Sequence, residues 1–292
     1  MHSQGCSGFC RQCRRCSCHC YPTVGAISSL PVTIAKGLIA LSLFVGNLRS
    51  ETLGMETQVV LMLPQDRYRG EDPCKVMYLL HGLGQNSSSW HRYSNLELML
   101  QEQNVVVVMP EVQRSFYCDM VYGNSYFTYI TQELPQFVSR TFKVSQKRED
   151  TIIAGLSMGG FGALKCGLTR PETYGVCASF SGAVSIPYVL DVASTKPWLT
   201  KEIQAVLGVD MPLLPENDLW TLAQRVSQMP VHQRPRIFCT CGTSDDLIAI
   251  NRELAAQMQT LPLDFTYQEW EGDHNWPFWD QSLSKMIQFL AN

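Results

Sequence analysis

No strong charge of either sign marks this sequence. Twenty-three Lys and Arg against 26 Asp and Glu leave a net charge of −3, and 17% of the 292 residues are charged. A nucleic-acid partner, which calls for a basic face, is not expected on that balance. Long apolar runs are missing too. The stretch that begins at Val24 is interrupted by Lys36 and is too short and broken for a membrane span, so no stable membrane insertion is expected. A regular cysteine framework is also absent. Of the 12 cysteines, Cys6, Cys10, Cys13, Cys16, Cys18 and Cys20 crowd the N-terminus, and the rest are scattered. Cys166, Cys177, Cys239 and Cys241 fall in apolar helix or strand patterns, where free cysteine acts as a small hydrophobe. That distribution excludes a disulfide-stapled secreted domain and points to a reduced, cytoplasmic one. The body also lacks repeats and low-complexity segments.

The first 41 residues stand apart in composition. "CSGFCRQCRRCSCHC" holds thiols and three arginines without apolar periodicity. With His19 it has zinc-ligand chemistry, but structural zinc sites pair two short knuckles across a dozen or more residues, and no such spacer is present. A signal peptide with Arg14 and Arg15 as its charged region lacks an A-x-A-like cleavage site. The reading adopted is an extension outside the fold, or an over-called start of translation, with no metal held. The domain is expected to span residues 42–292.

From Leu41 onward the pattern is regular. Two alternating strands meet at a Leu53–Gly54–Met55 turn, which predicts an antiparallel hairpin. "KVMYLLHG" (75–82) and "NVVVVMP" (104–110) are nearly continuous apolar runs, as in strands buried on both faces of a parallel sheet. A helix over 130–142, interrupted near Pro135, is followed by a strand at 152–156 and a helix from Phe161 to Leu168. A strand at 175–182 leads into a proline-rich, less regular region, 183–232, expected to form short helices lying over the end of the sheet. A strand at 236–242, a helix over 246–261, a strand at 264–270 and a helix over 276–291 complete the chain. Strands alternating with helices give an α/β fold with a mostly parallel sheet and one core.

"DTIIAGLSMGGFGALK" (150–165) sets Ser157 at the point where the strand turns into the helix. Glycine two residues to either side fits the G-x-S-x-G nucleophile elbow. A serine hydroxyl needs a general base, and the base needs an orienting group. After Ser157 the histidines are His232, in the irregular region, and His274, in "EGDHNWPFW" between the last strand and last helix. His274 has the right place in the order. "CGTSDDLI" supplies Asp245 and Asp246, one to orient the imidazole and the other free to cap the next helix. An oxyanion would be held by the N–H of Met158 and by a second N–H from the glycine-bearing loop "HGLGQNSSSW" (81–90).

Together "YLLHGLGQNSSSW", "RSFYCDMVYG", "QELPQFV", "AGLSMGGFGALKCGLTRPETYGVCASFSGA", "CGTSDDL" and "GDHNWPFWD" resemble the esterase D group of α/β hydrolases. That group includes tributyrin esterases, S-formylglutathione hydrolases and feruloyl or acetylxylan esterases. The likeness is strongest to the small cytosolic tributyrin esterases and runs from about residue 42 to the C-terminus. It implies an α/β-hydrolase fold, a mostly parallel central sheet flanked by helices, with a small irregular insert over the active site. It implies Asp245 rather than Asp246 as the acid, and Leu83 as the second oxyanion donor. It also implies that Trp90, Tyr117, Asp119 and Trp276 bind substrate at the mouth.

The expectation is a serine carboxylesterase acting on short-chain acyl esters through an acyl-enzyme, with catalytic Ser157, Asp245 and His274. That chemistry calls for no metal or organic cofactor, and the partner is a small ester, with a homo-oligomer left open. Alternatives with the same machinery are S-formylglutathione hydrolysis, acetylxylan or feruloyl ester hydrolysis, and acyl transfer. A binding module with a dead site is disfavoured because every triad position is occupied.

Overall fold

The computed structural model describes residues 41–64, 72–101 and 103–291. The cysteine cluster and the apolar stretch from Val24, with the readings attached to them, lie outside the described residues.

Eight strands join in one sheet: β1 (Leu41–Ser50), β2 (Met55–Pro64), β3 (Lys75–Leu80), β4 (Val105–Pro110), β5 (Thr151–Leu156), β6 (Val176–Phe180), β7 (Arg236–Gly242) and β8 (Phe265–Trp270). Their order across the sheet is β1-β2-β4-β3-β5-β6-β7-β8. β2 is antiparallel to both β1 and β4, and every pair from β4 to β8 is parallel. The helices are α1 (Ser89–Tyr93), α2 (Leu96–Met99), α3 (Tyr126–Thr128), α4 (Leu134–Thr141) and α5 (Met158–Thr169). After them come α6 (Ile186–Ser194), α7 (Pro197–Leu207), α8 (Leu219–Ser227), α9 (Ile248–Met258) and α10 (Trp276–Ala291).

Alternation along the strands divides the apolar residues between two layers. From β3, Val76, Tyr78 and Leu80 enter the layer that includes Phe161 and Leu164 of α5, Leu222 of α8 and Leu254 of α9. Met77 and Leu79 enter the opposite layer with Trp90, Leu96 and the α10 residues Phe278, Trp279, Leu283 and Met286. All six residues of β4 and of β5 are buried, which accounts for their unbroken apolar sequences. Because β3, β5, β6, β7 and β8 are parallel, the loops that follow them leave the sheet at one edge. In open α/β sheets that edge is where ligands bind.

The structure refines several boundaries, each for a physical reason. Met55 opens β2, and the turn before it closes on Gly54 (φ 65°), whose N–H donates to the Glu51 carbonyl at 3.2 Å. The helix predicted at 130–142 begins at Tyr126 and passes through a π-helical turn, Tyr129–Glu133, just before Pro135. Proline has no N–H to return to the preceding turn, so the ladder is locally rearranged there. The 183–232 region holds the short helices expected of it, α6, α7 and α8. Pro187 and Pro197 sit in the first turns of α6 and α7, where a missing N–H is harmless. They start helices rather than break them.

Candidate active site

β5 delivers Ser157 into an unusual backbone conformation, φ 53° and ψ −118°. For a residue with a side chain this costs on the order of 1–3 kcal/mol and persists only when its surroundings hold it. They do. The Ser157 N–H donates to the Phe180 carbonyl at 2.9 Å, and the Ser157 carbonyl accepts from the N–H groups of Ala183, Gly160 and Phe161 at 3.0, 3.0 and 3.2 Å. These last two bonds start α5 at Met158, three residues before the predicted start. The flanking glycines are required by close approach. A Cβ on Gly155 would lie 2.4 Å from the Gly159 carbonyl oxygen, and one on Gly159 would lie 2.5 Å from that of Leu80. A strand, a tight turn and a helix packed backbone against backbone leave the serine side chain as the one that projects.

His274 arrives from the loop between β8 and α10. Its Nε2 lies 3.0 Å from Ser157 Oγ, and its Nδ1 lies 2.9 Å from Asp245 Oδ2 and 3.1 Å from Oδ1. Asp245, on the loop after β7, is 1% exposed. Burial alone would push its carboxyl up, but hydrogen bonds from His274 and from the Leu247 N–H outweigh it, so the group is held below the usual carboxylate range. An ionised carboxylate only accepts. The Nδ1 atom therefore carries the proton, and Nε2 is left with a lone pair for the Ser157 hydroxyl. Trp279 meets the imidazole edge-on with ring centroids 5.0 Å apart.

Asp246, expected as a helix cap, does not cap α9. The N-cap position is Leu247, with no side-chain cap, and the Leu247 N–H goes to Asp245 at 2.8 Å. One carboxylate thus holds both the imidazole and the start of the helix. Asp246 is exposed and lines the neighbouring cavity. His232 sits in a surface turn, away from Ser157, where its carbonyl accepts from Arg148.

Ser157 and His274 open into a cavity of about 300 Å³. Leu83 and Met158 line it beside them. Met158 is the first residue of α5, so its N–H has no intrahelical acceptor. Most of the remaining wall comes from α6 and α7 through Tyr188, Val189, Val192, Trp198 and Leu199. Sequence reasoning placed this region over the sheet but singled out none of these residues. The usable signal was their phase: Ile186, Val189 and Ala193 are buried on α6, as are Leu199, Ile203 and Val206 on α7. Val189 and Leu199 serve both the core and the wall, and Tyr188, Val192 and Trp198 lie beside them.

The four residues expected at the mouth are not brought into this cavity. Trp90 is buried in the core, and its indole N–H donates to the Leu80 carbonyl at 2.9 Å. The Tyr117 hydroxyl, also buried, donates to the His81 carbonyl at 2.8 Å. Both therefore anchor the chain just before Leu83, aided by Gln85, whose side chain accepts from the Gly82 N–H. Asp119 accepts from the N–H and hydroxyl of Thr128 at 2.9 and 2.7 Å, tying the loop after β4 to α3. Trp276 packs edge-on against Trp90 and Trp279, each with centroids 5.3 Å apart. Their aromatic and polar character suits support of the loops as well as it suits a mouth. Glu111, not anticipated, joins the loops after β3 and β4 by accepting from the N–H groups of Ser87 and Gln113.

Comparisons with known proteins show the family and the fold. The family model described as "Putative esterase" matches residues 50–290. An acetyl esterase of Caldicellulosiruptor saccharolyticus is 28% identical over 263 residues, which are 84% of this chain and 96% of that protein. A fluorophosphonate-binding serine hydrolase of Staphylococcus aureus, solved with substrate bound, is 28% identical with a TM-score of 0.77, covering 86% of this chain and 99% of its own. An S-formylglutathione hydrolase of Staphylococcus aureus is 28% identical with a TM-score of 0.76, covering 87% of this chain and 100% of its own.

Proposed function

The chain belongs to the esterase family, and from that premise we propose that it hydrolyses short-chain acyl esters through an acyl-enzyme on Ser157. It is a carboxylic ester hydrolase with the α/β-hydrolase fold. The observation that carries the finer reading is the continuous relay from Ser157 Oγ to His274 Nε2, and from His274 Nδ1 to the Asp245 carboxylate. In this mechanism the Ser157 oxygen attacks the ester carbonyl while His274 Nε2 takes its proton. The imidazolium that forms is stabilised by Asp245 and returns the proton to the leaving alcohol. The N–H groups of Leu83 and Met158 are assigned to the oxyanion, each worth about 3 kcal/mol of transition-state stabilisation in comparable sites. Water then repeats the sequence against the acyl-enzyme.

A short acyl chain is supported by the size of the cavity, about 300 Å³, at the small end of the range for ligand sites. Its wall is mostly apolar, as an acyl group requires. A second reading, hydrolysis of the thioester S-formylglutathione, is favoured by the likeness to the staphylococcal hydrolase. Two experiments separate these. A fluorophosphonate should add covalently to the peptide bearing Ser157 and to no other serine, and absence of that adduct would remove the nucleophile assignment. Turnover of p-nitrophenyl acetate, S-formylglutathione and an acetylated or feruloylated xylan fragment should then rank highest for the simple ester. A dominant rate on the thioester would establish the second reading.

The domain that performs this chemistry, expected from residue 42, is taken to start one residue earlier, because Leu41 is the first residue of β1, and the residues before it are taken as an extension outside it.

A further inference from the structure

Lys165 carries a buried amine with no acidic partner. It lies on the inner face of α5, 3% exposed, and among the described residues no carboxylate pairs with it. Its Nζ instead donates to the Cys118 sulfur at 3.0 Å and to Asn217 Oδ1 at 2.7 Å, and it sits 4.8 Å from the centre of the Phe127 ring. A buried amine ordinarily finds a carboxylate, so one held by a sulfur and an amide oxygen calls for an explanation. The sulfur has two further neighbours, the Phe116 carbonyl at 3.3 Å and Asn217 Oδ1 at 3.4 Å. Both Cys118 and Lys165 line a cavity of about 160 Å³, walled by Val121, Phe127, Val206 and Leu207 and separate from the one beside Ser157. A small molecule therefore has a route to a thiol held against an amine. Cys166, Cys177, Cys239 and Cys241 are buried too, and burial pushes their thiols up; none has a lysine nitrogen as a hydrogen-bond partner.

We propose that Cys118 and Lys165 are a peroxide-responsive pair that closes a sulfur–nitrogen bond between the loop after β4 and α5. In the first step the Cys118 sulfur, its proton passed to the Lys165 nitrogen, attacks the terminal oxygen of a small hydroperoxide. The S–O bond forms and the O–O bond breaks. The departing oxygen takes the proton from Lys165 and leaves as water or an alcohol. In the second step the neutral amine of Lys165 attacks the sulfenic sulfur, the N–S bond forms, and hydroxide leaves with the amine's proton as water. Sulfur is oxidised by two electrons and the peroxide is reduced by two. The product is a sulfenamide, which an added thiol returns to cysteine and lysine. The bond would fasten the segment bearing Phe116, part of the wall beside Ser157, to the helix that begins at Met158.

The test uses the full chain, treated with equimolar hydrogen peroxide, blocked with N-ethylmaleimide, digested and read by mass spectrometry. The expected product joins the Cys118 and Lys165 peptides at a mass two hydrogens below their sum, and dithiothreitol removes it. Cys177, buried without an amine, should still be alkylated after unfolding and serves as the internal standard. In Lys165→Met the linked product should vanish and Cys118 should oxidise more slowly. If that variant does not fold, the comparison of Cys118 with Cys177 in the wild-type chain decides. Cys118 surviving as long as Cys177 would overturn the site. Oxidation of Cys118 without the link, or a link that retains oxygen, would overturn the sulfenamide step.

Discussion

At the scale of single residues, the arrangement around Ser157 makes sharply unequal predictions for neighbouring side chains. Ser157→Ala removes the hydroxyl that His274 Nε2 meets at 3.0 Å, and kcat on p-nitrophenyl acetate should fall by on the order of 10⁶ with the fold retained. A variant keeping a tenth of the wild-type rate would exclude Ser157 as nucleophile. Asp245→Asn offers an amide where a carboxylate now fixes the imidazole tautomer, and kcat should drop by about 10⁴. Asp245 also receives the Leu247 N–H, so this variant should melt earlier as well. Asp246→Asn should leave both properties nearly unchanged, because Asp246 neither touches the imidazole nor caps α9. Kinetics and melting curves of the two variants side by side would show whether the orienting role belongs to the first aspartate or the second.

At the scale of elements, the β5–α5 turn depends on backbone proximity, and α6–α7 sets the shape of the cavity. Gly159→Ala would press a methyl against the Leu80 and His81 carbonyl oxygens, at 2.5 and 2.7 Å. Those atoms belong to the segment that positions Leu83. Urea unfolding should register a loss of about 1–3 kcal/mol, accompanied by a fall in kcat. Gly46→Ala is the control, since a Cβ there meets nothing within 4 Å, and its effect should stay within about 0.5 kcal/mol. Val192 and Leu199 reach the cavity from α6 and α7. The wild-type enzyme should prefer acetate to butyrate esters over octanoate, and Leu199→Ala should move that preference toward longer chains. An unchanged chain-length profile in the variant would mean that the acyl group lies elsewhere.

At the scale of the whole molecule, two carboxylates that join separate loops should govern acid stability. Asp245 is held below its usual range, as described above. For Glu111, burial alone would push the carboxyl up, but the His81 ring and the N–H groups of Gln113 and Ser87 outweigh it and hold it down. A carboxyl whose folded value lies below its unfolded one favours the folded state when ionised. That contribution is in place above the unfolded value, about pH 4, and is lost as pH falls through the folded value. The melting temperature should therefore decline below about pH 4, and Glu111→Gln should lower it at neutral pH while flattening that decline. A second expectation concerns the extension. The described fold begins with β1, whose first pair is Leu41 with Pro64. A chain starting at Gly37 should match the full chain in melting temperature and ester turnover, whereas one starting beyond Leu48 should lose solubility as β2 becomes the sheet edge. A large loss on removing residues 1–36, or a chelator-sensitive melting temperature, would restore the metal reading.

The sequence by itself determined the α/β class, the strand order along the chain and the elbow. These rest on local patterns: unbroken apolar runs for buried strands, and glycines where two backbones nearly touch. The order serine, aspartate, histidine was equally legible, since each follows a strand that the pattern marks. Tertiary structure alone decided which of two adjacent aspartates turns inward, because that depends on the path of a loop after β7. It also moved Trp90, Tyr117, Asp119 and Trp276 from a mouth to the supports beneath it. An aromatic ring near a loop reads the same whether it meets a substrate or the carbonyl of a neighbouring strand; tertiary packing distinguishes the two, as where Trp276 of α10 meets Trp90 of α1. The cavity wall from α6 and α7 was only partly readable: periodicity marks the apolar faces that carry Val189 and Leu199, but which of those and of their neighbours meet Ser157 depends on how the two helices cross the sheet edge.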